Sequence, residues 1–190
     1  SFDSTIINAN VISGHDSSSS RYGIYIFSSD ALGGDSATNT VISGNVIGTT
    51  KGATTTTRIP NGVGIYISRA QNTLIGGPTA AARNIIVGNG VTAGNGHGIQ
   101  ITTVGVTNTT IQGNYIGLNA NGASFGRSGT NSQGNLGAGV LVDTDARQTT
   151  IRDNVISNNY ASGIILSTDG NTVAGNRIGV NTAAQPTTDD

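Results

Sequence analysis

The 190-residue sequence has no cysteine, no methionine, no tryptophan and no glutamate, so all ten acidic residues are aspartates. Without cysteine, a disulfide framework and a thiolate metal site are excluded. Charged residues make up 10% of the chain and the formal net charge is −1, which gives no electrostatic basis for binding nucleic acid or an anionic membrane. No apolar run is long enough to cross a bilayer. Since there is also no initiator methionine and no visible signal peptide, we expect a mature protein or an excised piece.

The residues that favour helices are as scarce as the charges. Lys51 is the only lysine, and leucine is uncommon. Glycine, asparagine, threonine, valine and isoleucine dominate instead, and these residues favour strands and turns. A small net charge combined with many β-branched residues argues against disorder. The composition therefore predicts an all-β protein, long enough for one domain with a sizeable core.

Two short motifs alternate along the whole chain. The first is an apolar residue, two residues of any kind, asparagine, any residue and isoleucine; one copy, from Leu74 to Ile86, is split by the segment GGPTAAAR. Its intact copies are Ile7–Ile12, Ile42–Ile47, Ile111–Ile116, Ile151–Ile156 and Val173–Ile178. The second motif is glycine followed by alternating apolar residues, at Gly23–Ile26, Gly64–Ile67, Gly98–Ile101, Gly139–Val142 and Gly163–Leu166.

The spacing of the motif asparagines indicates a repeating coil. The shortest interval, from Asn154 to Asn176, is 22 residues, and the longer intervals are the same unit with loops inserted. A unit of this size cannot bury its apolar face alone, but stacked copies share one continuous core. We expect successive asparagines to form a hydrogen-bonded ladder at one bend of the coil. The ladder positions are Asn10, Asn45, Asn84, Asn114, Asn154 and Asn176.

The pattern predicts a right-handed parallel β-helix of five to six coils of about 22 residues, with inserted corner loops. We expect one domain over residues 1–190, with coils from about 5 to 179 and a polar tail over 180–190. The segments NTLIGGPTAAARNIIVGNG, GNYIGLNANG and GAGVLV resemble the β-helix repeats of the pectate-lyase-like superfamily. More narrowly, they resemble a bacterial repeat family whose members are mostly long secreted or surface proteins, which implies an extracellular or cell-surface location. This fold carries lyases, hydrolases, epimerases, adhesins and plain stalks, so the resemblance does not fix a function.

Few residues suggest catalysis, and no catalytic residue or cofactor is assigned. Polygalacturonase-like β-helices share four short segments, of which this chain has Gly96–His97–Gly98 and otherwise only a terminal Asp189–Asp190 pair. His97 and His15 are each isolated, so they predict no metal site. The densest group of charges is in VDTDARQTTIRDN, where two aspartates two residues apart are candidates to share a Ca²⁺ ion. Its five members, Asp143, Asp145, Arg147, Arg152 and Asp153, are the candidates for a catalytic site. The alternative is that they form solvated ion pairs at a loop rim.

Two stripes of outward strand positions are unusually apolar. The first comprises Val11, Val46, Ile85, Tyr115, Val155 and Arg177. The second comprises Tyr25, Tyr66, Gln100, Leu141 and Ile165. Either inserted loops cover these stripes, or they are contact surfaces. Tyr25 and Tyr66, one coil apart, are suited to stacking on sugar rings or on another protein.

The two ends of the predicted coil, which have no visible cap, also indicate a function. No capping helix is visible at either end, although an open coil exposes unpaired strand edges and core. The chain is then either a segment of a longer helix or a subunit that stacks end to end into a filament. We therefore expect a non-enzymatic extracellular structural module, a stalk or a filament subunit. The alternatives are a polysaccharide-active enzyme, either a uronan lyase or a glycoside hydrolase, and a glycan-binding or adhesin module.

Overall fold

The computed structural model describes residues 2–15, 21–28, 37–53, 57–124, 127–128 and 131–185. These residues form an all-β parallel β-helix, as the sequence predicts. Strands are numbered in chain order, and each coil contributes one strand to each of up to four parallel sheets. Sheet 1 contains β1 (Phe2–Asp3), β5 (Ala37–Thr38) and β9 (Ala70–Gln71). An antiparallel pair, β15 (Arg127–Ser128) and β16 (Asn131–Ser132), lies in an inserted loop.

The three larger sheets carry the repeat. Sheet 2 contains β2 (Ile6–Asn8), β6 (Val41–Ser43), β10 (Leu74–Gly76), β13 (Thr110–Gln112), β18 (Thr150–Arg152) and β21 (Thr172–Ala174). Sheet 3 contains β3 (Val11–Ile12), β7 (Val46–Ile47), β11 (Ile85–Ile86), β14 (Tyr115–Ile116), β19 (Val155–Ile156) and β22 (Arg177–Ile178). Sheet 4 contains β4 (Tyr22–Phe27), β8 (Val63–Ser68), β12 (Ile99–Thr102), β17 (Val140–Val142) and β20 (Ile164–Leu166).

The strand register follows the sequence repeat. Ile7 pairs with Ile42, Ile42 with Ile75, and Ile75 with Ile111, so equivalent motif positions stack on one another. The segment GGPTAAAR leaves this register intact because it forms an outward 3-10 turn, Ala80–Ala82, whose Ala82 N–H donates to the Thr79 hydroxyl. Sheets 2 and 3 have six strands and sheet 4 has five. The described residues thus make five complete coils and part of a sixth.

The core lies inside the coil and consists mostly of isoleucine. Inward positions of the inner coils are completely buried on all three large sheets, as at Ile111, Ile116 and Ile101. Alternate positions of the same strands point outward, which is the two-residue period expected of a strand. A smaller cluster lies outside sheet 3, where Ala53 and Val87 pack with Ile85. The loop after β7 therefore covers part of the outer surface.

The first half of the predicted polar tail continues the coil. Residues 181–185 form a turn in which the Asn181 side-chain oxygen accepts the Ala183 and Gln185 backbone N–H groups. Asn119 holds the corresponding turn two coils earlier in the same way. The Thr182 N–H donates to the Gly122 carbonyl at 3.2 Å, so the two turns stack. Residues 186–190, including Asp189 and Asp190, lie outside the described residues.

Candidate functional site

The six motif asparagines form a continuous hydrogen-bonded series at the bend between sheets 2 and 3. Each Nδ2 donates to the Oδ1 of the next asparagine at 2.9–3.1 Å. The same Oδ1 accepts the backbone N–H of the preceding asparagine at 2.9–3.1 Å. All donors therefore point from the first coil towards the sixth, and the series has a direction.

A second series of asparagines runs beside the first, and sequence reasoning missed it. Asn61, Asn89, Asn135 and Asn159 are linked from Nδ2 to Oδ1 at 2.8–3.0 Å. In the first coil His15 takes the place of an asparagine, with its Nδ1 3.1 Å from the Asn61 Oδ1. The signal was an asparagine before the glycine of the second motif. It was hidden because inserted loops vary the number of residues from the asparagine to the motif glycine, which is three at Asn61 and nine at Asn89.

The C-terminal end of the coil, here called the C face, exposes residues that are core in every inner coil. Val173 on sheet 2 is 43% exposed, Ile178 on sheet 3 is 48% exposed and Leu166 on sheet 4 is 40% exposed. Their partners one coil back, Ile151, Ile156 and Val142, are fully buried. The C face is thus an uncovered cross-section of the core.

The opposite end, here called the N face, is open on sheets 2 and 3 but closed on sheet 4. The outward residues Ile6 and Val11 are 71% and 47% exposed, and the inward Ile7 and Ile12 are only partly buried. On sheet 4, however, the inward Ile24 and Ile26 of the first strand are buried. The two ends of the molecule therefore differ in shape.

His97 bonds to the backbone of the next coil. Its Nδ1 accepts the Ala138 N–H at 3.0 Å, which requires that this nitrogen carry no proton. Burial lowers the pKa of His97, and the carboxylate of Asp143 opposes this with a smaller effect. These contacts give the Gly96–His97–Gly98 segment a structural explanation.

We expect acid to destabilise the protein through His97. Because its folded-state pKa is lowered, the unfolded chain binds the proton more readily. The stability is fully present above the unfolded pKa of about 6.5 and falls as the pH drops below that value. The urea midpoint of the wild type should be lower at pH 5 than at pH 7.5. The difference between the two midpoints should be smaller for His97→Gln. An equal decline in both proteins would contradict the assignment.

The five charged candidates in VDTDARQTTIRDN lie at two different corners. Asp143, Asp145 and Arg147 occupy the turn after β17, where Asp143 accepts the Thr144 N–H and Arg147 lies 3.9 Å from Asp145. Arg152 and Asp153 lie at the next corner, 3.4 Å apart. Both pairs are largely exposed, as expected of solvated ion pairs that contribute little stability.

Asp153 borders a polar groove that the sequence did not reveal. The Arg83 guanidinium stacks over the Tyr115 ring at 4.1 Å, and its Nε donates to the Gly113 carbonyl at 3.2 Å. Gln112 Nε2 donates to Asp153 at 3.2 Å. The groove has a volume of about 430 Å³ and crosses several coils. Two arginines, Arg83 and Arg177, against the single Asp153 give the groove an excess of positive charge.

The two outward stripes have different environments. On sheet 3, Ile85 and Val155 are buried, so loops cover the middle of the first stripe. On sheet 4, Tyr25 is exposed, and Tyr66, Gln100, Leu141 and Ile165 are half-buried. The ring centroid of Tyr25 lies 5.3 Å from those of both Tyr66 and Phe27, and the ring centroids of Tyr22 and Tyr66 are 4.3 Å apart. The second stripe thus begins in an aromatic cluster.

No group of three or more histidine or aspartate side chains among the described residues is placed to hold a metal ion. Asp143 and Asp145 therefore have no third carboxylate or imidazole partner there. Within that same part of the chain, no helix is long and apolar enough to span a membrane. Comparison of the sequence and fold with family models, curated proteins and solved structures finds no match.

Proposed function

We propose that this chain is a non-enzymatic structural module whose ends bind further β-helical coils, as part of a stalk or an end-to-end filament outside the cell. The extracellular location and the membership of the bacterial repeat family are supported by the motif resemblance. Further coils come either from neighbouring parts of a longer chain or from other copies.

The observation that carries the proposal is the uncovered core at the C face. Val173, Ile178 and Leu166 lie on three different sheets, yet all three are 40–48% exposed where their inner counterparts are buried. An apolar surface flanked by unpaired strand edges favours addition of another strand from any chain that fits. One further coil would cover all three side chains and pair all three edges.

The proposal predicts that the isolated chain self-associates and that a charge on the C face stops it. Ile178→Asp places a carboxylate at the centre of the contact, where pairing would have to desolvate it. Because Ile178 is already half exposed, the monomer should keep its fold. Sedimentation velocity over a range of concentrations should show large species for the wild type and a monomer for the variant.

Val104→Asp is the matched control, because Val104 is a 69% exposed apolar residue in a loop between β12 and β13. It adds the same charge to the side of the coil, so association should continue as in the wild type. A wild-type protein that stays monomeric at every concentration would overturn the proposal. Equal behaviour of the two aspartate variants would show that the C face is not the contact.

A glycan-binding or adhesin role is a second candidate, favoured by the aromatic cluster of Tyr22, Tyr25, Phe27 and Tyr66. Aromatic rings at the surface offer stacking faces to sugars. A glycan array should then show binding that Tyr25→Ala removes and Tyr160→Ala, at an equally exposed tyrosine away from the cluster, retains.

A polysaccharide-active enzyme is the remaining alternative, and the positive groove lined by Arg83, Asp153 and Arg177 is the observation that favours it. A lyase would generate absorbance from unsaturated ends on pectin or alginate, and a hydrolase would release reducing sugar. Neither signal is expected if the structural proposal holds.

A further inference from the structure

We propose that the polar groove on the side of the coil binds an extended acidic peptide segment of a partner protein, through the guanidinium groups of Arg83 and Arg177. The groove is lined by outward positions of sheet 3 and by the bend that precedes that sheet. Binding at this site is therefore independent of the end contacts in the proposed function.

Backbone carbonyls hold both arginines in place. The Arg83 Nε donates to the Gly113 carbonyl at 3.2 Å, and the same guanidinium lies over the Tyr115 ring. The Arg177 Nη1 donates to the Thr182 carbonyl. A guanidinium has five N–H donors in a fixed planar arrangement, so each arginine keeps donors for a ligand. Because both side chains are already positioned, a ligand would lose less free energy in ordering them.

The charge of these two arginines is not neutralised within the described part of the chain. No aspartate there lies within ion-pair distance of either guanidinium. Asp153 lines the groove, but its carboxylate lies 3.4 Å from Arg152 and accepts a hydrogen bond from Gln112. The groove therefore matches a ligand that brings its own carboxylates, which arginine binds through two parallel hydrogen bonds.

The spacing of the two arginines fits an extended peptide. Tyr115, Val155 and Arg177 occupy equivalent positions on three adjacent strands, so about 10 Å separates Arg177 from Tyr115, where Arg83 lies. Side chains two residues apart in an extended peptide point to the same side about 7 Å apart. The flexible stems of glutamate and arginine cover the remaining distance. Two glutamates with one residue between them therefore reach both guanidinium groups.

The environment of Tyr115 favours a peptide over a sugar chain. Tyr115 is the one aromatic residue among the described residues that line the groove. The Arg83 guanidinium lies 4.1 Å from the centroid of its ring, and the tyrosine also packs against the small apolar cluster outside sheet 3. The groove thus lacks the open ring face on which a sugar would stack, and it offers charge and hydrogen bonds instead.

Fluorescence anisotropy tests the proposal with the full chain and a labelled peptide of alternating glutamate and glycine. Arg83→Gln and Arg177→Gln should each weaken binding about fivefold or more, because each removes a charge-assisted contact. Arg147→Gln is the matched control, since it removes an exposed arginine at another corner and should leave the affinity unchanged. A peptide of alternating glutamine and glycine should not bind.

Asp153→Asn gives a readout that a folding defect cannot imitate. Asparagine keeps the side-chain oxygen that accepts from Gln112, and it tolerates the φ of +58° at this position. Removing the carboxylate from the groove should tighten binding of the acidic peptide about two- to fivefold. Weaker binding by this variant would show that charge attraction is not the basis of the site.

The remaining outcomes also decide the proposal. No binding of the acidic peptide, or equal affinities for the wild type and both arginine variants, would overturn it. A labelled oligouronate is the competing probe. If it binds more tightly than the peptide and with the same dependence on Arg83 and Arg177, the groove takes a sugar chain and the peptide assignment is wrong. Sedimentation and fibre formation are not part of this test, so the proposed function stands or fails separately.

Discussion

Gly76→Ala is expected to destabilise the protein by about 3–5 kcal/mol, at the upper end of single-residue effects. Gly76 has a φ of +91°, and an added Cβ would lie 2.5 Å from the Asn114 Oδ1 and would overlap the Gln112 carbonyl oxygen. The first of these atoms belongs to the asparagine series and the second to the backbone of the next coil. Neither can move without separating two coils, so the substitution should lower the urea midpoint strongly.

Gly105→Ala separates backbone strain from the clash. Gly105 has nearly the same φ, +90°, but an added Cβ there would meet nothing within 4 Å. This variant should therefore cost only about 1 kcal/mol, the usual penalty for alanine at positive φ. If both variants lost the same stability, close stacking of the coils at Gly76 would not be the reason for the glycine.

Asn114→Leu is expected to cost about 3 kcal/mol or more, with a fall in Tm of roughly 6–12 °C. Asn114 is fully buried and its Nδ2 donates to the Ile75 and Gln112 carbonyls at 2.9 and 3.1 Å. Its Oδ1 accepts the N–H and the Nδ2 of Asn84. Leucine satisfies none of these groups, and each buried polar group left unpaired costs about 1–3 kcal/mol.

Asn10→Leu is the matched control because Asn10 begins the same series in an exposed position. Water can replace its lost hydrogen bonds, so we expect a cost below about 1 kcal/mol. Calorimetric unfolding of the two variants compares them directly. Similar Tm values for both would show that the inner asparagines do not stabilise the stack.

The coil could be predicted because residues that stack on one another in the structure occupy the same position of the sequence repeat. Ile7, Ile42, Ile75 and Ile111 recur at one motif position, and the structure pairs them in that order. Stacked strands require the same inward residue in each coil, so the register could be read before the structure was known. The inserted GGPTAAAR did not mislead because the motif resumes at Asn84.

Features that depend on loops were harder to predict. The second asparagine series is present in the sequence, but loop insertions change its spacing between coils. Arg83 and Tyr115 are 32 positions apart and meet only because the coil brings their strands together. Loop paths also decide which outward residues are covered, so Ile85 is buried while Tyr25 is exposed. The alternation of residues along a strand predicts whether a side chain points inward or outward, but it does not predict whether a loop covers that side chain.

Electron microscopy of the purified chain at rising concentration shows whether the ends of this coil bind further coils. We expect uniform fibres with an axial repeat near 29 Å, since sheets 2 and 3 each place six strands about 4.8 Å apart along the axis. Ile178→Asp should abolish the fibres under the same conditions. Discrete particles of a single subunit at every concentration would contradict the claim that the ends of this coil bind further coils.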